Sequence, residues 1–176
     1  MNKYDLLIKN GMVHTAVESF EAEIGVSEGK ITAIGQNLGH AERVIDADGM
    51  LVLPGGIDAH CHIEQESSTR IMTADDFYSG SVSAAFGGNT TFLPFAAQHR
   101  GQSLREVVDT ARERARNKAV IDYGLHLIIS DPTQNVLEVE LPSLIKEGYT
   151  SFKVYMTYDK LKLDDYQLLD VLDLAD

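Results

Sequence analysis

The chain has 176 residues, 27 acidic and 15 basic, and its formal net charge of -12 disfavours nucleic acid and anionic membrane as partners. A single cysteine excludes an internal disulfide, and no apolar run approaches the roughly 20 residues that span a bilayer. We therefore expect a soluble, cytoplasmic protein.

The first part of the chain, residues 1–54, is predicted to be rich in short β-strands. Strand patterns cover residues 4–8, 24–26, 30–34 and 44–47. Asn10-Gly11 is a turn signal, and Glu28-Gly29 between two strand patterns predicts a hairpin. Short strands separated by turn residues favour a small sheet or one half of a sandwich.

After Met50 the predicted strands alternate with predicted helices. The strands cover residues 51–58, 89–95, 121–130 and 151–156, and the helices cover about 73–86, 103–118, 137–147 and 164–176. Thr73 is the predicted N-cap of the first helix, which Gly87-Gly88 ends. Four consecutive βα units predict a parallel sheet. The sheet belongs either to a small doubly wound domain or to half of a (β/α)8 barrel, which needs about 250 residues. Because the sequence stops inside the last helix, we expect it to be the N-terminal part of a longer protein.

The segment GGIDAHCHIEQ, residues 55–65, carries the first candidate site. Residues two apart point to the same side of an extended chain, so we expect Asp58, His60 and His62 on one face. Cys61 then faces the other way, and we interpret it as a packing residue. Neighbouring neutral imidazoles are suited to zinc, and barrel enzymes carry their chemistry where strands end. The alternative is a pair of surface histidines.

Lys153 is the second candidate, because it lies in the apolar and aromatic segment GYTSFKVYM, residues 148–156. A charged lysine in such a strand is costly unless it is paired, and burial favours the neutral amine. A neutral amine can add carbon dioxide and become a carbamate, whose oxygens can bridge two metal ions. The alternative is a lysine whose stem packs while its ammonium reaches water.

Four segments together resemble the dihydropyrimidinase and D-hydantoinase family of the amidohydrolase superfamily, specifically the N-terminal portion of its members. They are GGIDAHCH, TADDFYSGSVSAAFGGNTTF, IDYGLHLIIS and EGYTSFKVYMTY, and they extend over nearly the whole chain. The resemblance implies a (β/α)8 barrel with a small β-sandwich. Residues 1–54 would be sandwich strands, and residues 55–176 would be the N-terminal half of the barrel.

The resemblance also implies a site with two divalent metal ions, most often zinc. His60 and His62 would be metal ligands, and Lys153, carboxylated by carbon dioxide, would bridge the metals. Asp58 would either hold a ligand ring from behind or orient the turn. Tyr158 follows Lys153 by the family spacing, and its hydroxyl would bind the substrate carbonyl. On a continuous strand a residue five positions after Lys153 would face away from the site, so the chain must turn after Met156.

The implied reaction is ring opening of dihydropyrimidines or 5-substituted hydantoins, by attack of a metal-bridging hydroxide. Family members are commonly homotetramers. His99 and His126 do not match the family's ligand motifs, and we interpret both as structural or surface residues.

Several positions depart from the family pattern. Cys61 stands where threonine is common, the second strand ends in Leu-Pro-Phe (residues 93–95) rather than Ile-Asp-Phe, and residues 64–70 are unusually polar. These departures bear on the substrate preference. Three alternatives also stay open: another cyclic amidohydrolase of the dihydroorotase or allantoinase type, a non-catalytic relative that acts by assembly, and an inactive fragment. The presence of His60, His62 and Lys153 together argues against the non-catalytic class.

Overall fold

The computed structural model describes residues 3–67 and 70–175, in two units that meet at Pro54 in the sequence. The N-terminal unit, residues 1–54, contains five strands: β1 (Tyr4–His14), β2 (Ser19–Ser27), β3 (Lys30–Gly35), β4 (Ala41–Asp46) and β5 (Leu51–Val52). They form one sheet in the order β3-β2-β1-β4, and β5 also pairs with β1. The sheet confirms the β-rich prediction for this region.

The turn predicted at Asn10-Gly11 is wrong, because β1 continues through both residues to His14. The antiparallel register with β2 shifts between Ile8 and Gly11, and Asn10 has a φ of 57°. These features describe a β-bulge rather than a chain reversal. A Cβ atom at Gly11 would come within 2.4 Å of Val52 Cγ2, so any larger residue would force the Val52 side chain to move. The hairpin predicted at Glu28-Gly29 is confirmed by the antiparallel β2–β3 pairing.

The C-terminal unit, residues 55–176, is built on parallel strands connected by helices. In chain order its elements are β6 (Gly56–Cys61), α1 (Phe77–Phe86), β7 (Asn89–Ala97), α2 (Leu104–Ala115), β8 (Asp122–Tyr123), β9 (His126–Ile128), a π-helical segment (Val136–Glu140), α3 (Leu141–Lys146), β10 (Phe152–Lys153) and α4 (Asp165–Ala175). The sheet order is β10-β9-β7-β6, with β8 paired to β7. This is a half-barrel of parallel strands, as the βα alternation predicts.

Three predicted strands differ from the observed ones. The single strand predicted over 51–58 is two strands that belong to different units, separated at Pro54, which has no N–H to donate to a ladder. The strand predicted over 121–130 is divided into β8 and β9, with Gly124 between them. The strand predicted over 151–156 is ladder-paired only at Phe152 and Lys153.

Asp76 is the N-cap of helix α1, so the prediction of Thr73 as its N-cap is wrong. Asp76 accepts a hydrogen bond from the Ser79 backbone N–H at 2.8 Å, and Ser79 Oγ accepts from the Asp76 N–H at 3.2 Å. The Thr73 hydroxyl oxygen instead accepts a hydrogen bond from the Gln65 backbone N–H at 3.1 Å. The other helices match their predicted regions approximately, although Asp176, the last residue of the predicted fourth helix, lies outside the described residues.

Two apolar clusters fix the strands of the half-barrel against its helices. The larger cluster joins β7 and β9 to α2, α3 and α4 through fully buried side chains such as Leu127 and Leu144, each of which contributes about 1.5–3 kcal/mol. The smaller cluster lies beside β6 and contains Ile63, Phe77 and Phe92. Within the described ranges, no helix combines the length and apolar character needed to cross a membrane.

Candidate functional site

The aromatic ring of Phe95, near the end of β7, is the point where three predicted site residues meet. Its centroid lies 4.8 Å from the His60 ring and 5.0 Å from the His62 ring, and Lys153 Nζ lies 4.3 Å away. The two imidazole centroids are 5.5 Å apart. Because β6, β7 and β10 run parallel, their carboxyl ends bring these side chains to one edge of the sheet. Phe95 itself is buried.

The ring of His62, just beyond the end of β6, is oriented by Gln65. His62 Nδ1 lies 2.7 Å from Gln65 Oε1. An amide oxygen only accepts hydrogen bonds, so in the neutral ring this contact places the proton on Nδ1 and leaves the lone pair on Nε2. This is the form in which an imidazole binds a metal ion. The sequence interpretation did not assign any role to Gln65.

Asp58 contacts the backbone of the first candidate histidine, and its role stays a prediction. Its carboxylate accepts a hydrogen bond from the backbone N–H of His60 at 3.1 Å. Cys61 points away from the imidazoles and packs against the smaller apolar cluster. Burial, and next the Asp58 carboxylate, raise the pKa of the Cys61 thiol to about 11. The contacts of Cys61 with that cluster support its interpretation as a packing residue.

Lys153 is half-buried and lies between aromatic rings. Its ammonium is 4.3 Å from the Phe95 centroid and 5.1 Å from the Tyr155 centroid, both cation–π distances. Across residues 3–67 and 70–175, no carboxylate oxygen comes within 4.0 Å of Lys153 Nζ. The lysine therefore has aromatic neighbours but no counter-ion in this part of the protein.

Tyr158 lies in the turn that the spacing from Lys153 requires. The chain bends after Met156, and the Tyr158 carbonyl accepts the N–H groups of Leu161 and Lys162 at 2.8 and 2.7 Å. The Tyr158 side chain is 64% exposed. It lines a pocket of about 360 Å³ whose wall includes His62, Gln65, Glu66, Lys153 and Tyr155. Ser68 and Thr69, in the polar segment that follows this wall, lie outside the described residues.

His126 and His99 have surroundings that fit a structural role. His126 Nε2–H donates to the Ala59 carbonyl at 2.9 Å, and Nδ1 bonds to Ser151 Oγ, so both ring nitrogens are used. These contacts tie β6 to the segment that precedes β10. The backbone N–H of His99 donates to Gln102 Oε1 at 2.9 Å, just after β7.

The donor set around Phe95 fits part of a metal centre. In the described part of the chain, no three His, Cys, Asp or Glu side chains are close enough together to hold a metal ion. The available donors are the imidazoles of His60 and His62 and the amine of Lys153. Imidazoles suit zinc, but an ammonium has no lone pair to offer. A carbamate on Lys153 would convert it into an anionic oxygen donor and complete three ligands.

Comparison with known proteins identifies close relatives of this chain. No protein-family model matches it. It is 47% identical over 169 residues to a D-hydantoinase of Geobacillus stearothermophilus, covering 94% of this chain and 36% of the relative. It is 48% identical over 172 residues to a D-hydantoinase of Ralstonia pickettii, covering 97% of this chain and 37% of the relative.

Solved structures give the same result. A D-hydantoinase structure superposes with a TM-score of 0.92 at 48% identity, over 97% of this chain and 37% of that chain. A dihydropyrimidinase from Brevibacillus agri superposes with a TM-score of 0.90 at 43% identity, over 96% of this chain and 37% of that one. The chain thus spans a little over a third of the length of its relatives. The resemblance in sequence is confirmed: over nearly its whole length, the chain matches the N-terminal portion of the dihydropyrimidinase and hydantoinase family.

Proposed function

We propose that this chain is part of a metal-dependent cyclic amidohydrolase that opens the ring of dihydropyrimidines or 5-substituted hydantoins. The observation that carries the proposal is the meeting of His60, His62 and Lys153 around Phe95, at the carboxyl end of parallel strands. The names of the relatives, D-hydantoinase and dihydropyrimidinase, support this substrate class.

The proposed metal centre holds two divalent ions, zinc in the first instance. His60 and His62 would each present a neutral imidazole, and carboxylated Lys153 would bridge the pair. When bound, the two metal ions would lower the pKa of a water molecule and polarise the ring carbonyl. The remaining protein ligands are proposed to come from strands other than β6, β7, β9 and β10.

The carbamate on Lys153 would form without any other reactant than carbon dioxide. The neutral amine's lone pair attacks the carbon of carbon dioxide, a new N–C bond forms, and one N–H proton leaves to solvent. Among the described residues, carbamate formation breaks no ion pair of Lys153, but it gives up the cation–π contacts of the ammonium with Phe95 and Tyr155. The faces of Phe95 and Tyr155 carry partial negative charge, so the anionic product requires cations beside it.

Tyr158 is proposed to bind the substrate. Its phenol O–H would donate a hydrogen bond to the ring carbonyl oxygen and strengthen that bond as negative charge develops there. Support comes from its place in the wall of the pocket that also contains His62 and Lys153. The pocket volume, about 360 Å³, is within the range of small-molecule sites.

Two wider proposals rest on the family resemblance alone: the protein assembles as a homotetramer, and it works in the cytoplasm. The complete barrel is a further proposal, supported by superposition on D-hydantoinase structures over the half that is present.

The test is an assay of ring opening by the purified protein on dihydrouracil, 5-substituted hydantoins, dihydroorotate and allantoin. The proposal expects hydrolysis of the first two classes, which a chelator abolishes and zinc restores. Hydrolysis of dihydroorotate or allantoin alone would instead assign another cyclic amidohydrolase. Ring opening that a chelator leaves unchanged would contradict the metal-dependent mechanism.

A further inference from the structure

The loop after β6 folds back on itself as a small hairpin, and its geometry determines where Gln65 lies. The Gln65 N–H donates to Thr73 Oγ1 at 3.1 Å, and the Thr73 N–H donates to the Gln65 carbonyl at 3.0 Å. Glu66 pairs with Met72 in an antiparallel bridge. The backbone of Gln65 is therefore held on both its donor and its acceptor.

The base of this hairpin is fixed to the end of helix α2. The Glu64 carboxylate accepts hydrogen bonds from Lys118 Nζ at 2.9 and 3.0 Å and from the Phe77 N–H at 3.2 Å. Arg114 donates to the Glu64 carbonyl at 2.9 Å. Gln65 is thus anchored next to a residue that four donor contacts hold in place.

His62, in contrast, lies beyond the last residue of β6 and is exposed to solvent. Its ring stacks on Phe95, which restrains the ring plane but not the choice of protonated nitrogen. A polar partner of the ring is Gln65 Oε1, which lies 2.7 Å from Nδ1. This contact therefore favours the neutral tautomer of His62 that carries its proton on Nδ1.

We infer that Gln65 is a positioning residue: by accepting the Nδ1–H of His62 from an anchored hairpin, it keeps the Nε2 lone pair available to a metal ion. The inference rests on the proposed function for its consequence, the binding of a metal. The tautomer itself is a property of the metal-free protein. In metal sites, such partners behind the ligating histidine affect affinity by about 10- to 100-fold.

Two substitutions separate the polar contact from packing. Gln65→Met keeps the side-chain length but removes the acceptor, whereas Gln65→Glu keeps an acceptor in the same place. Gln134→Met is the matched control, because Gln134 is exposed and bonds to Glu138 within the segment that follows β9.

The first readout is nitrogen-15 NMR of the His62 ring in the metal-free protein at pH 8, where an ordinary imidazole is neutral. A His62→Gln variant assigns the signals. We expect protonated Nδ1 in the wild type, Gln65→Glu and Gln134→Met, and a loss of that preference in Gln65→Met. A wild type whose proton lies on Nε2 would overturn the inference, as would a Gln65→Met protein with an unchanged tautomer.

The second readout is the affinity for zinc alone, measured by competition with a chelator. Gln65→Met should bind zinc about 10- to 100-fold more weakly than wild type, and Gln65→Glu should restore the affinity. Equal zinc affinity in Gln65→Met and wild type would overturn the inference while leaving the proposed function in place. Failure of the wild type to bind zinc, with Nδ1 still protonated, would count against the proposed function and support the tautomer assignment.

Discussion

Lys118 Nζ lies 2.9 Å from Glu64 Oε1, and this ion pair connects the loop after β6 to the turn that follows α2. Lys118 also lies 3.6 Å from Asp76, the N-cap of α1. One ammonium therefore contacts both ends of the segment that carries Gln65 and Thr73. The segment begins two residues after His62, so its order bears directly on the candidate site.

Removing this ammonium is expected to loosen the loop while leaving the half-barrel folded. In Lys118→Met, the Glu64 carboxylate keeps its bond from the Phe77 N–H but loses the ammonium, so the two hydrogen bonds between Gln65 and Thr73 should open more often. Amide hydrogen exchange should show faster exchange at residues 64–75, with α2 unchanged. Lys160→Met, an exposed lysine, is the control. Unchanged exchange across 64–75 would show that the hairpin is held without Lys118.

The role of Lys153 predicts a large loss of activity on its removal. Lys153→Ala should lose bound zinc and nearly all ring-opening activity, because the only proposed bridging ligand is gone. Steady-state rates and zinc content per molecule are the measurements. Lys160→Ala, in the loop that follows, should retain both. Near-normal turnover with two zinc ions in Lys153→Ala would refute the assignment of this residue.

Tyr158 is expected to act mainly on the chemical step. Tyr158→Phe keeps the ring but removes the O–H that is proposed to donate to the developing oxyanion, so kcat should fall about 10²- to 10³-fold. KM should change much less, because the interaction strengthens in the transition state. Tyr166→Phe is the matched control, since that side chain is 83% exposed on α4. A variant that raises KM and leaves kcat unchanged would assign Tyr158 to substrate binding alone.

The ion pair between Arg105 on α2 and Glu147 at the end of α3 predicts that the stability of the fold depends on pH. Arg105 donates to both carboxylate oxygens of Glu147, at 2.8 and 2.6 Å, and this bonding holds the pKa of Glu147 below its ordinary value of 4.5. A carboxyl group with a lowered pKa stabilises the fold above its unfolded pKa, and the stabilisation disappears as pH falls through the folded pKa.

Glu147→Gln should therefore be less stable than wild type at neutral pH, and the difference should shrink once the pH falls below about 4.5. Urea unfolding at a series of pH values measures it. Glu138→Gln, an exposed carboxyl on the π-helical segment, is the control. A stability difference that stays constant from pH 7 to pH 3 would show that the ion pair does not carry it.

Much of the half-barrel can be predicted because its signals are local. Apolar runs alternate with amphipathic segments, and Ser103 and Gly87-Gly88 mark helix ends in the sequence. The meeting of His60, His62 and Lys153 follows from the same reasoning, since the carboxyl ends of parallel strands share one edge. Residues that lie far apart along the chain can therefore be assigned to one site.

The features that were missed depend on tertiary contacts. Threonine is a common N-cap residue, but the Thr73 hydroxyl accepts a hydrogen bond from the Gln65 N–H. Asp76 caps α1 instead. The central position of Phe95 requires the register between β7 and its neighbours, which no local pattern reveals. The partnership of Gln65 with His62 depends on a hairpin formed by a polar segment without strand periodicity.

The most direct test of the proposed metal centre is carbon-13 NMR of the zinc-loaded protein prepared in labelled bicarbonate. We predict one carbamate resonance in the wild type and in Lys160→Ala, and none in Lys153→Ala. A wild-type protein that opens hydantoin rings with zinc bound but shows no carbamate resonance would contradict the assignment of Lys153 as the bridging ligand.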